Sequence, residues 1–198
     1  DSGNFPTTAG AFQTSIAGDL DGVVSKFSPT GQLLASTFFG GSGMELITGV
    51  DVDSAGRPVI TGTTYSNNLP LSTDAHQATR AGAKDAFVAK FSADLSDLKY
   101  ASYHGGSGQE EASPAASDSN GNLYFAGMTW SNDLPVTNAT QPFSGGDRDI
   151  FLAKVSQTNS TGNAPPIADA GPDQTVQLSQ GQTSITLVVD GSGSSDAD

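Results

Sequence analysis

Side chains able to do chemistry are few here and of a narrow kind. The 198 residues contain two histidines, His76 and His104, and no cysteine. Without Cys there are no disulfides, thiolate metal sites or thiol nucleophiles. Acid–base work would fall to 21 carboxylates, all Asp except Glu45, Glu110 and Glu111. Glu110-Glu111 is a carboxylate pair in sequence, but adjacent strand residues point to opposite faces. Glycoside hydrolysis needs two carboxylates about 5–9.5 Å apart across one cleft. Serines are plentiful, yet no Gly-x-Ser-x-Gly elbow presents one as a nucleophile. Gly105-Gly106-Ser107-Gly108 lacks the Lys-Ser/Thr that completes a phosphate loop and reads as a strand connection. These residues point away from catalysis.

Metal binding would have to use hard oxygen ligands. Asp19-Leu20-Asp21, Asp147-Arg148-Asp149 and Asp51-Val52-Asp53 are Asp-x-Asp pairs. Their counterparts Ala83-Lys84-Asp85 and Ala116-Ser117-Asp118 break the pattern, and none has the spacing of an EF-hand. Turn chemistry accounts for them better, because Asp caps turns whereas Glu favours helices. With 24 Gly and 10 Pro, the composition predicts an all-β chain with many turns. A net charge of −13 argues against a nucleic-acid binder that works through a basic face. No apolar run approaches the roughly 18 residues of a membrane span. The opening Asp1-Ser2-Gly3-Asn4 has neither an initiator Met nor the features of a signal peptide, so a processed chain or a piece of a longer one is expected.

Internal repetition organises the rest. Asp21-Gly22-Val23-Val24-Ser25-Lys26-Phe27 returns as Asp85-Ala86-Phe87-Val88-Ala89-Lys90-Phe91, and again as Asp149-Ile150-Phe151-Leu152-Ala153-Lys154-Val155. Gly40-Gly41-Ser42-Gly43 returns at 105–108, Asp53-Ser54-Ala55-Gly56 at 118–121, and Ser66-Asn67-Asn68-Leu69-Pro70 at 131–135. Offsets are 64 or 65 residues. Each unit reads as two hairpins. Phe87–Phe91 leads through Ala93-Asp94-Leu95-Ser96 into Leu98–Tyr103. Ile47–Val52 turns at Asp53-Ser54-Ala55-Gly56 and returns along Pro58–Thr63. An Asp-x-x-Gly turn suits a hairpin because Asp accepts bonds from its own turn and Gly takes positive φ.

Taken together, Gly-Gly-Ser-Gly, Asp-Ser-x-Gly, Gly62-Thr63-Thr64 with Gly127-Met128-Thr129, Leu-Pro, the Ala-x-x-Gln segment and Asp-Ala-Phe-Val-Ala-Lys resemble the bacterial SBBP family of β-propeller repeats over residues 1–156. That resemblance implies four-stranded propeller-like blades and an extracellular or surface setting, without a shared catalytic activity. After a polar 157–166 linker ending in Pro165-Pro166, residues 167–198 resemble the opening of a PKD domain, an immunoglobulin-like sandwich. Some calcium-binding PKD domains use an Asn at the start and Asp residues in a Ser-x-Asp-x-Asp loop; the matching positions are Asn163, Asp196 and Asp198. Such a sandwich needs about seven strands and 100 residues, so this one is expected to be partial.

If the units are blades, opposite faces of neighbours meet. Asp85, Phe87, Ala89 and Phe91 share one strand face, with Val88 and Lys90 on the other. Asp21 with Lys26 and Asp149 with Lys154 follow the same parity. Three of the five Lys fall in this column, which predicts Asp–Lys pairing between neighbours, such as Asp21 with Lys90. The plainer alternative is a solvated Lys at a strand end and an Asp capping a turn. Tyr65 and Trp130 occupy equivalent positions before Ser-Asn. Aromatics recurring at a rim would suit stacking on sugars, with ordinary packing as the alternative.

About nine propeller-type strands result, too few to close a ring of four or more four-stranded blades. The expectation is therefore a stretch of a longer secreted or cell-surface protein, or a subunit that completes itself with further copies, as a ring or as a filament. Its job would be structural or adhesive and non-catalytic. The first rival is a carbohydrate-binding accessory region of a polysaccharide-degrading enzyme; the second is an extracellular filament subunit. Expected partners are itself, the rest of a longer chain or surface polysaccharide, with no nucleic acid and no membrane span. Calcium is the one candidate cofactor.

Overall fold

The computed structural model describes residues 3–142 and 144–156. The linker, the PKD-like segment and the calcium candidates Asn163, Asp196 and Asp198 lie outside the described residues. The described strands all fall within one compact unit, Asp1–Gln157. The fold is all-β: nine strands and no helix among the described residues. No helix there is long and apolar enough to cross a membrane.

In chain order the strands are β1 (Gly22–Phe27), β2 (Leu33–Phe39), β3 (Glu45–Val52), β4 (Pro58–Thr64), β5 (Asp85–Phe91), β6 (Leu98–His104), β7 (Glu110–Ser117), β8 (Leu123–Thr129) and β9 (Asp149–Val155). They form three antiparallel sheets, ordered β1-β2, β3-β4-β5-β6 and β7-β8-β9. The expected hairpins are present. Asp53 Oδ1 accepts the Ala55 and Arg57 amides at 3.0 and 2.9 Å, and Asp118 Oδ1 accepts those of Asn120 and Asn122. Gly56 closes the first of these turns at φ 74°, a conformation that a side chain would strain.

The middle sheet joins the two kinds of hairpin. β4 pairs with β5 in register from Val59↔Lys90 to Thr64↔Asp85, across the long connection that carries Ser-Asn-x-Leu-Pro. That connection is pinned by Tyr103, whose hydroxyl accepts the Leu69 amide and donates to the Ser66 carbonyl, both at 2.9 Å.

The central strand β5 is buried on both faces. Its period-2 alternation sends Phe87, Ala89 and Phe91 into one core, shared with Phe39, Ile60 and Tyr103. Ala86 and Val88 go into the other, shared with Phe125 and Phe151. At the first joint, between the first and second sheets, Phe39 and Phe12 meet Phe91 edge to face, with ring centres 5.5 and 5.9 Å apart. Leu95, at the β5–β6 turn, adopts φ 61° and is fully buried in this core, and its carbonyl accepts the Phe12 amide.

At the second joint, between the second and third sheets, Thr48 and Thr61 donate to the carbonyls of Ala112 and Ser113 at 2.6 and 2.9 Å. These acceptors sit where the β7 register shifts, between Ala112 and Ala115. The sheets come so close there that a Cβ on Gly49 would lie 2.3 Å from Pro114 Cα. Gly49→Ala must therefore push backbone away from backbone and is expected to cost about 1–3 kcal/mol. Urea unfolding of the purified chain measures it; a loss below about 0.5 kcal/mol would contradict this packing.

Candidate binding cleft between the second and third sheets

Each repeat opens its Asp-Ala-Phe-Val-Ala-Lys strand with a carboxylate turned into the preceding loop. Asp85 accepts the Ala81 and Gly82 amides at 2.9 and 3.0 Å, and Gln77 Nε2 at 3.0 Å. Asp21 is held by Ala17, Gly18 and Gln13 in the same way, and Asp149 by the Gly145 amide and the Ser144 hydroxyl. A second carboxylate stands beside each of the first two, with a glycine between. A Cβ on Gly105 would sit 2.5 Å from Asp85 Cγ and 2.6 Å from Glu110 Oε2, and Gly40 is wedged likewise between Asp21 and Glu45. Glu110 accepts the Thr129 and Ser131 hydroxyls and the Gly106 amide. Burial pushes its pKa up; these hydrogen bonds oppose the rise and the nearby Asp85 charge adds to it.

The Lys column does not find the Asp column. Lys90 Nζ lies 2.9 Å from Asp53 Oδ2, and both side chains are 1% exposed. The Val59↔Lys90 register carries this ammonium to the tip of the β3–β4 hairpin in its own sheet. Lys26 donates to the Ala93 carbonyl, and Lys154 lies 5.4 Å from the centre of the Tyr124 ring. The expected pairing of Asp21 with Lys90 is thus corrected: Asp21, Asp85 and Asp149 are taken by amide donors of their own loops, and Lys90 by Asp53. Burial alone would raise the Asp53 pKa. The Arg57 amide, the Lys90 ammonium and the Arg57 guanidinium outweigh it and hold the carboxyl at about 2.

The other aromatic candidates sit at one end of the second joint. The Tyr65 amide donates to the Met44 carbonyl and the Trp130 amide to that of Gln109, so the two hold equivalent places, both partly exposed. They do not do the same thing. Tyr65 lines a cleft of about 280 Å³ with Leu46, Thr63, Lys84, Glu111 and Met128. Trp130 is engaged by cations, with Lys84 Nζ 5.9 Å and Arg148 Cζ 5.7 Å from its ring centre. Lys84 also bonds Glu111 at 2.5 Å across the joint. Glu110 and Glu111 do face different ways: the first is buried in the carboxylate pair, the second bounds the cleft.

Hydroxyls, a bridging ion pair and an apolar floor around an aromatic ring can receive a polyhydroxylated ring with one apolar face. Glu111 stood out in sequence only as half of the Glu110-Glu111 pair, and its pairing with Lys84 was not foreseen. Their signal is in the repeat, where the first copy has Leu20 and Leu46 at these positions. Among the described residues, no three His, Asp or Glu gather as a metal site.

No protein-family model and no curated protein matches the chain.

Removing the Lys90 side chain takes one of two cations from the buried Asp53 carboxylate, leaving Arg57, and empties the space of a fully buried stem; Lys90→Ala is expected to cost about 3 kcal/mol in denaturant unfolding. Lys26→Ala, at an exposed ammonium, is expected to cost under about 0.5 kcal/mol. Asp53 is more acidic folded than unfolded, so its stabilisation is complete above the ordinary carboxylate value of 3.8 and is lost as the pH falls toward 2. Equal losses for the two Lys variants would refute the assignment.

Proposed function

We propose that this chain is a non-catalytic structural or adhesive repeat region of a secreted or cell-surface protein, working through contact between repeat faces. The SBBP-like repeat supports reading the sheets as blade-like units in an extracellular setting, with a PKD-like module after them. One observation carries the proposal. Ile150 and Leu152 on β9 are 82% and 77% exposed, whereas their repeat counterparts Ala86 and Val88 on β5 are fully buried by the next sheet. A sheet face built to be covered, left bare and apolar by the described residues, favours association.

The occupant would be a further repeat, from a longer chain or from other copies, and a non-closing contact of that kind extends as a filament. Sedimentation of the full chain over a concentration series is expected to show association that Ile150→Asp/Leu152→Asp abolishes. A wild-type chain that stays monomeric at the highest accessible concentration defeats the proposal. Electron microscopy of the associated species separates filaments from rings.

Tyr65 in its cleft favours a second reading, a carbohydrate-binding accessory region. A polymer-specific signal on a glycan array that falls at least tenfold with Tyr65→Ala would support it. Since the two Trp130 cations already occupy its surroundings, Trp130→Ala is expected to matter less. Retention of the signal in Tyr65→Ala would remove the cleft from consideration.

A further inference from the structure

The two joints are built from the same repeat positions but with different chemistry at their centres. In the first, Phe12 and Phe39 meet Phe91 edge-on. At the matching positions of the second stand the only two histidines of the chain, His76 and His104. His76 Nε2 and His104 Nδ1 are 3.2 Å apart, and His76 Nδ1 is 2.9 Å from the Tyr100 hydroxyl. One proton therefore lies between two imidazoles, and the Tyr100 hydroxyl, able to donate or accept, extends the chain in either direction. His104 then meets the third sheet, its ring centre 5.5 Å from that of Phe125 and 5.0 Å from that of Phe151. His104 is 8% exposed.

We propose that the His76–His104 pair makes the second joint acid-labile, so that protonation releases the third sheet from the second while the first joint stays closed.

The neighbours leave an imidazolium little to gain. From β6 the titratable group is the Tyr100 hydroxyl, and Asp74, in the connection that carries His76, bears on that tyrosine. From β8 and β9 the facing groups are the Phe125 and Phe151 rings. The nearest parts of β5 and β7 carry Asp85 and Glu110, both committed to amide, amide-side-chain and hydroxyl donors. Among the described residues no carboxylate forms an ion pair with either imidazole. A first proton would sit in an apolar contact; a second would set two cations against each other. Burial, with His76 close by, holds His104 at about 4, and burial also lowers His76.

The sign follows from which state takes the proton. An opened joint exposes imidazoles of ordinary basicity near 6.5, while the closed joint keeps them neutral. Closure is unaffected above that value and weakens as the pH falls from 6.5 toward 4. Carboxylate pairs recur at both joints, but the Lys84–Glu111 pair and the bond of the Ser117 amide to Asp51 cross only the second; a variant that replaces the imidazoles and keeps both separates their protonation from that of the histidines.

Hydrogen exchange of the full chain at pH 7 and pH 4.5 tests the difference, with β1–β2 amides as the internal reference for intrinsic rate. Relative protection of β7–β9 is expected to fall at least tenfold at the lower pH. In His76→Phe/His104→Phe, which installs the residues of the first joint, it is expected to hold. Unchanged relative protection in the wild type, or an equal loss in the variant, overturns the proposal. Should the variant not fold, NMR titration of the two imidazoles in the wild-type chain decides. A His104 midpoint at or above 6 overturns it, and one near 4 with broadening confined to the third sheet upholds it.

Discussion

A carboxylate taken out of water must be given hydrogen-bond donors, or the fold loses more than burial returns. Asp21, Glu45, Asp85 and Glu110 are all buried, and among the described residues none forms a salt bridge. Their donors are loop amides, Thr and Ser hydroxyls and the carboxamides of Gln13 and Gln77. Each Gln spans the network, because its oxygen also accepts an amide, that of Gly40 or Gly105. Meeting this one demand fixes where the loops before β1 and β5 run and where β3 and β7 begin. It also explains why the Gly-Gly-Ser-Gly turns open with residues lacking a side chain. The first glycine is wedged between two carboxylates and the second lies against Ser66 or Ser131.

On this common frame the two joints diverge. The first is sealed by aromatic edges around Phe91, and Leu20 and Leu46 are the sequence neighbours of its carboxylates Asp21 and Glu45. The second substitutes an imidazole pair for Phe12 and Phe39, and the Lys84–Glu111 pair for the two leucines. Polar atoms at a sheet–sheet contact give up apolar burial and gain directional, charge-dependent bonds. Tyr65, which looks out over the second joint, thus stands beside a polar wall. One architecture therefore carries an aromatic contact and an imidazole-and-ion-pair contact side by side.

Much of this was legible in the sequence, because period-2 alternation and Asp-x-x-Gly turns are local signals. The strands around Asp53-Ser54-Ala55-Gly56 and on either side of Leu95 fall where the pattern puts them. The pairing of β4 with β5 was not legible. It depends on a 20-residue connection whose path is set by Tyr103 and the buried carboxylates, both distant in sequence. The partner of Lys90 was hidden for the same reason. Parity gave the correct face of the strand but said nothing of which hairpin tip would arrive there. Leu95 escaped notice because a turn residue is ordinarily solvated, and here a left-handed turn folds it inward. The Lys84–Glu111 pairing was detectable only by reading each copy against the other for changes of charge.

Gly49 and Pro114 occupy the same position in successive copies, and they touch. The third sheet therefore offers a pyrrolidine ring where the second offers bare backbone, and Ala126 where the second offers the Thr61 hydroxyl. A tandem duplication of this unit would bring proline against proline and leave one of the bulge carbonyls without its donor. The copies are consequently not interchangeable modules: each carries its place in the order, and the array can grow by duplication only if both surfaces change together.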